Sequence, residues 1–236
     1  MILVIFVKAP LTPSIQFMIE NTFPKIIKNT EGVKNINETT DWLSAKTQIL
    51  KEHLSNTGAL LFRGFPVKSA EDFDAFASTF NYENFTYEES LSNAVRINKT
   101  PKVFTANEAP PDVEIFLHHE MAQTPIYPEK IFFCCLSPAT LGGATPLCRS
   151  DKVYEALKKE HPKWLNKFEA VGLKYSTLMP SKDELTSGQG RGWQSTLSVK
   201  TKKEAEHKLQ ELGYSWEWQR DGSLLTTTPI LSAISK

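Results

Sequence analysis

Cysteine is scarce in this chain: its 236 residues include three, Cys134, Cys135 and Cys148. The count is odd, two are adjacent and no C-x-x-C occurs, which excludes a disulfide framework and a thiolate zinc site. Buried free thiols in a reducing compartment are the expectation. A surplus of either charge is missing as well. Lys+Arg and Asp+Glu balance at 27 each, and without a basic excess neither nucleic acid nor an anionic membrane is an expected partner. Long apolar runs are also lacking. The burst Ile2–Val7 is too short to span a bilayer. No basic residue precedes it and no small-x-small cleavage site follows, so it reads as an N-terminal strand rather than a signal peptide. The sequons at Asn37, Asn84 and Asn98 carry no meaning without secretion. These absences describe a soluble, cytoplasmic protein. Repeats, low-complexity segments and long linkers are absent too.

What the chain does contain is a hydrophobic fraction of 40%, enough for a core, in a length that suits a single domain over 1–236. Helices are legible from their caps. Thr39 and Thr40 precede "DWLSAKTQILKEHLSN", whose apolar residues recur at helical spacing before Gly58. Ser69 with Asp72 resembles a capping box for "AEDFDAFASTF", which sets Phe73, Phe76 and Phe80 on one face. Further helical signals run from Ser150 to about Lys159, from Trp164 to Phe168, and through "TKKEAEHKLQELG", with Gly213 as the stop. "ALLFRGFPV", "KIFFCCLS" and "AVGLKYSTL" read as strands, the second as a buried one. "ATLGGATPL" reads as a turn and a short strand. "YSWEWQRDGSLLTTT" reads as a hairpin turning at Asp221–Gly222. From Tyr82 to Pro128 no helical period survives the prolines at 101, 110, 111, 125 and 128. The order lacks regular β-α-β alternation, so a mixed α+β, mainly β fold with an antiparallel sheet or barrel core is expected.

Chemistry concentrates in "FLHHEMAQTPIYP", Phe116 to Pro128. On a strand, residues i and i+2 share a face. His118 and Glu120 then point one way and His119 the other. An imidazole and a carboxylate on one face are two arms of a 2-His-1-carboxylate triad, which leaves open positions on Fe(II). The spacing alone is a weak signal, because H-x-[DE] is common by chance. A zinc-protease parse beginning at His119 fails, since Gln123 stands where H-e-x-x-H needs histidine and the prolines preclude a helix. Thr145, after the Gly142–Gly143 turn, offers a hydroxyl for a carboxylate oxygen. "GQGRGW", Gly188 to Trp193, is a lid or an anion-holding loop around the Arg191 fork, or simply a loop. His53, His161 and His207 lie in helical contexts and read as surface residues.

Taken in order, "GALLFRGFPV", "VFTANEAPPD", "HHEMAQ", P-x-K-x-F-F, "GGATP" and "GRGW" resemble the TauD/TfdA-type Fe(II)- and 2-oxoglutarate-dependent dioxygenases, and most nearly their clavaminate synthase-like branch, which uses H-x-E. The likeness covers nearly the whole chain, and the ordered set is far more specific than any one motif. It implies a double-stranded β-helix (jelly-roll) core with flanking helices. It implies His118 and Glu120 as the first two iron ligands, and Thr145 as the residue that hydrogen-bonds the 2-oxoglutarate carboxylate. Asn107, Arg191 and Trp193 are implied on the substrate side. The implied reaction consumes O2, decarboxylates 2-oxoglutarate to succinate and oxidises a C–H bond of a small-molecule substrate that the family does not specify. No oligomeric state is implied.

The pattern also departs from that family. It calls for a second histidine on a downstream strand and, roughly ten residues later, an arginine whose fork clamps the far carboxylate of 2-oxoglutarate. After Glu120 only His161 and His207 remain. The expectation is therefore the N-terminal portion of a longer enzyme, with the last core strands missing. The alternative is a truncated, non-catalytic remnant or isoform without the third ligand and the arginine.

Overall fold

The computed structural model describes residues 2–7, 23–86, 90–108, 110, 113–184 and 190–234. Pro111 and the Gly188–Gln189 part of the glycine-rich loop lie outside these. The chain divides into two compact units: residues 1–84, 99–103 and 128–149, and residues 85–98, 104–127 and 150–236.

The first unit is a four-stranded sheet in the order β2-β3-β1-β4, built from β1 Ile2–Val7, β2 Lys25–Lys28, β3 Ala59–Arg63 and β4 Lys130–Cys135. Every pairing in it is parallel, which corrects the expectation of an antiparallel core. Parallel neighbours need long crossovers, and α1 (Ile36–Thr57) supplies the one between β2 and β3. That helix starts earlier than the threonines suggest. Asn35, in extended conformation, accepts from Glu38 N. Glu38 in turn accepts from Lys34 N at 2.7 Å. Thr39 then lies inside the helix, with its hydroxyl donating to Asn35 O at 2.9 Å. Gly58 ends it at φ +78°, a left-handed conformation suited to glycine. α2 (Ala70–Ser78) is capped by Ser69 as expected.

β3 is buried along four of its five residues. Phe62 meets the rings of Phe76 at 5.1 Å and Phe80 at 6.4 Å, both edge-on, around buried Leu43, Leu50 and Leu54 of α1. β4 is only half-buried throughout, not fully buried as its unbroken apolar run suggested, because it sits at the edge of the sheet. Its side chains still alternate: Phe132 and Cys134 pack on the phenylalanine cluster, whereas Ile131 and Phe133 pack toward Ala59 and Leu61.

The second unit contains the antiparallel element. β5 (Ser176–Met179), β6 (Ser215–Trp218) and β7 (Leu224–Thr227) pair in the order β5-β7-β6. The β6–β7 hairpin turns at Asp221–Gly222, where Asp221 Oδ1 accepts from Ser223 N at 2.9 Å. The strand foreseen in "AVGLKYSTL" is shorter, because α4 (Pro162–Val171) takes its first residues and Gly172 stops that helix. α3 (Ser150–Glu160) buries no residue. α5 (Trp193–Leu197) is a single turn, and α6 (Lys202–Glu211) carries a full capping box of Thr201 and Glu204. Their inner faces, with Leu91, Met121, Met179 and Leu224, form the core. Among the described residues no closed barrel forms. No helix there is long and apolar enough to cross a membrane.

Candidate metal site

His118 and Glu120 do not lie on a strand. Residues 113–119 are irregular, and a turn begins at Glu120. Ala122 N donates to His119 O at 3.2 Å and Thr124 N to Met121 O at 3.0 Å. Met121 adopts φ +57° while its side chain is buried in the second core. These backbone bonds curl the segment where a strand would run on, and Pro125 follows directly.

The side chains nevertheless divide as alternation foretold. His118 Nε2 lies 3.9 Å from Glu120 Oε2. His119 turns elsewhere and meets Ser150 Oγ at 2.7 Å. Burial, with the adjacent His118, pushes the His119 pKa below the ordinary histidine value. His118 Nδ1 lies 2.6 Å from Phe116 O. A carbonyl only accepts, so Nδ1 is the donor in this contact, and Nε2 is the ring nitrogen turned toward Glu120. A metal-binding histidine is held in this way by its other nitrogen. The imidazole is more than half exposed, whereas Glu120 is 19% exposed.

Glu120 is held from behind by Arg96, whose Nη2 lies 3.2 Å from Oε1. Arg96 Nη1 donates to Thr105 O at 3.3 Å, and its guanidinium stands 5.5 Å from the Phe104 ring centre. The 97–105 pair closes this support, with Thr105 N donating to Ile97 O at 2.9 Å. No signal in the sequence singled out Arg96, which stands 24 residues before its partner.

The donor set fits Fe(II): an imidazole nitrogen and a carboxylate oxygen face one another at 3.9 Å, with the imidazole more than half exposed. No group of three or more His, Cys, Asp or Glu that could hold a metal occurs among the described residues. His161 stacks on Trp164 at 4.8 Å. His207 pairs with Glu211 on the exposed side of α6 at 3.5 Å. His53, in the first unit, accepts from Lys25 Nζ at 3.1 Å.

The other candidate residues are distributed as follows. Thr145 is exposed, in the first unit, after Gly142 and Gly143 at φ +68° each. A Cβ at Gly143 would stand 2.6 Å from Ala139 Cβ, so the turn needs glycine there. The short strand expected after it does not form. Asn107, in the second unit, holds a buried Oδ1 with no hydrogen-bond partner among the described residues. Arg191 is 8% exposed. Its Nη1 donates to Ser92 O at 2.7 Å and its Nη2 to Ser195 O. Trp193 is buried against Trp218 at 5.1 Å, edge to face. Of the cysteines, all are free; Cys134 and Cys135 are half-buried and Cys148 is exposed, so the expectation of buried thiols fails there.

The order of an H-x-E pair, a "GGATP" segment and a "GRGW" loop resembles the motif order of a class of oxygen-using metalloenzymes. Residues 22–222 match the model of the taurine catabolism dioxygenase TauD, TfdA family. The chain belongs to that family, whose members share a jelly-roll fold. It is 39% identical over 195 residues to a clavaminate synthase-like protein of Arabidopsis thaliana, covering 83% of this chain and 58% of that protein. It is 29% identical over 178 residues to the dapdiamide synthesis protein DdaC of Enterobacter agglomerans, covering 75% of this chain and 51% of that one. The chain thus spans about half the length of the curated relatives it matches.

Proposed function

We propose that this chain is the H-x-E-bearing part of an Fe(II)- and 2-oxoglutarate-dependent oxygenase that oxidises a small-molecule substrate. The observation that carries the reading is the convergence of His118 Nε2 and Glu120 Oε2 to 3.9 Å in a chain of the TauD/TfdA family. His118 and Glu120 would hold the iron. When bound, Fe(II) supplies the redox centre at which O2 converts 2-oxoglutarate to succinate and CO2 while a substrate C–H bond is oxidised.

The chain's own residues set the conditions for that chemistry. Phe116 O accepts a hydrogen bond from His118 Nδ1 and so orients the ring with Nε2 toward Glu120. Glu120 supplies negative charge from a turn whose backbone bonds limit its motion. Thr145 is assigned to a carboxylate of 2-oxoglutarate, through a hydroxyl placed after the glycine turn. Asn107 is assigned to the substrate side, where a ligand donor would satisfy its orphaned Oδ1. Arg191 and Trp193 would act on the substrate side through the interior they shape rather than by direct contact. The balanced charge supports a small-molecule partner over nucleic acid, and the free cysteines support a reducing, cytoplasmic setting.

Anaerobic titration with Fe(II) and 2-oxoglutarate tests the reading. Wild-type protein is expected to bind both, and His118→Ala and Glu120→Ala are expected to lose iron. Equal binding by wild type and His118→Ala would refute the site.

A further inference from the structure

The least expected feature of the candidate site is the engagement of Glu120 by a cation before any metal is considered. Arg96 is 13% exposed and is fixed at three points: Thr105 O through Nη1, the Phe104 ring beneath its plane, and Glu120 Oε1 through Nη2. A planar fork anchored in this way has little rotamer freedom left. It takes one oxygen of the carboxylate and leaves the other, Oε2, turned to His118 Nε2 at 3.9 Å.

Resting on the oxygenase reading above, we propose that Arg96 is a positioning residue that makes Glu120 a one-oxygen metal ligand. The physical argument is a competition for Oε1. A carboxylate alone can chelate a cation through both oxygens, and that would fill a coordination position needed for cosubstrate or O2. The guanidinium holds Oε1 by a charge-assisted hydrogen bond, so only Oε2 is presented on the side of His118. The positive charge of Arg96 weakens the attraction of Glu120 for a cation, and the orientation it imposes works in the opposite direction. Arg96 and Glu120 are only 13% and 19% exposed, so water screens this repulsion only in part; what offsets it is that a carboxylate already fixed in one orientation gives up little side-chain freedom on binding a cation. Supporting groups behind metal ligands commonly contribute 10- to 100-fold in metal affinity.

The test uses Co(II), whose visible absorption reports coordination number and ligand set, with wild type, His118→Ala, Glu120→Gln, Arg96→Met, Arg96→Lys and the double variant Arg96→Met/Glu120→Gln. Arg96→Met is expected to lose affinity by roughly 10-fold or more and to change the shape of the visible band. Arg96→Lys is expected to recover part of the affinity, since an ammonium reaches one oxygen but cannot also bond Thr105 O. In the Glu120→Gln background, Arg96→Met is expected to add nothing, whereas general structural damage would add its full cost. Unchanged affinity and band in Arg96→Met, alongside loss in His118→Ala, overturns the positioning role and leaves the iron site standing. If wild type and His118→Ala bind Co(II) equally, the iron site falls and the positioning role falls with it. Should Arg96→Met not fold, Arg96→Lys decides: a spectrum and affinity identical to wild type overturn the proposal.

Discussion

Arg191→Met separates two roles for an arginine that the sequence placed beside the substrate. In the structure its guanidinium reaches inward to Ser92 O and Ser195 O, tying together segments 99 residues apart in the chain. Methionine keeps the apolar stem but is shorter and removes both donors. Hydrogen bonds from a charged donor contribute about 1.5–3 kcal/mol each, so the two together are worth about 3–6 kcal/mol. Two effects offset part of this. The guanidinium no longer has to be desolvated, and Lys208, whose pKa burial and then the Arg191 charge push down, is relieved of a neighbouring cation. A net loss of about 3 kcal/mol is expected, a large share of a typical domain's stability of about 5–15 kcal/mol. Urea unfolding followed by tryptophan fluorescence reads it, because Trp193, Trp216 and Trp218 all belong to this core. With a slope of about 2 kcal/mol per molar, the midpoint should fall by roughly 1.5 M. A shift below about 0.3 M, together with weakened substrate binding, would refute the interior role and restore direct contact with the substrate.

In the first unit, Phe76 is fully buried between Phe62 and Phe80, and Phe76→Ala should cost about 3–5 kcal/mol through the cavity it leaves, measured as a fall in the thermal midpoint. A pH effect is expected from Tyr214, whose phenol burial pushes up to about 12. An unfolded phenol ionises near pH 10, so the stability contributed by the buried neutral ring is whole below that pH and is lost as pH rises through about 12. Denaturation at pH 9 and pH 11 should differ by about 1 kcal/mol more in wild type than in Tyr214→Phe, after allowance for partial solvent exposure. An equal pH response of the two proteins would remove Tyr214 as the cause.

Readings that rested on local bonds agreed with the structure. Ser69 bonding Asp72 N, the Asp221–Gly222 turn and the Gly58 stop each involve atoms within a few residues, and residue type alone specifies them. The division of His118 and Glu120 from His119 emerged although its stated basis, a strand, was absent. What separates them is their partners: His118 Nε2 lies near Glu120 Oε2, while His119 meets Ser150 Oγ. The helix starts at Asn35 rather than at the threonines, because Asn35 accepts from Glu38 N while Thr39 bonds back to Asn35 O; asparagine and threonine are both cap formers by residue type. β4 is half-exposed because it lies at the sheet edge, and an apolar run does not say whether its strand ends up central or at an edge.

By itself the sequence determined the family, the H-x-E pair and most helix and hairpin termini, since these depend on residue identity and short-range hydrogen bonds. Only tertiary structure decided the parallel pairing of β1 with β3 and β4, the capture of Glu120 by Arg96 24 residues away, and the inward turn of Arg191. Each of these joins groups distant in the chain. Their energies arise from burial and charge complementarity that exist once the units have folded, and no local pattern encodes them.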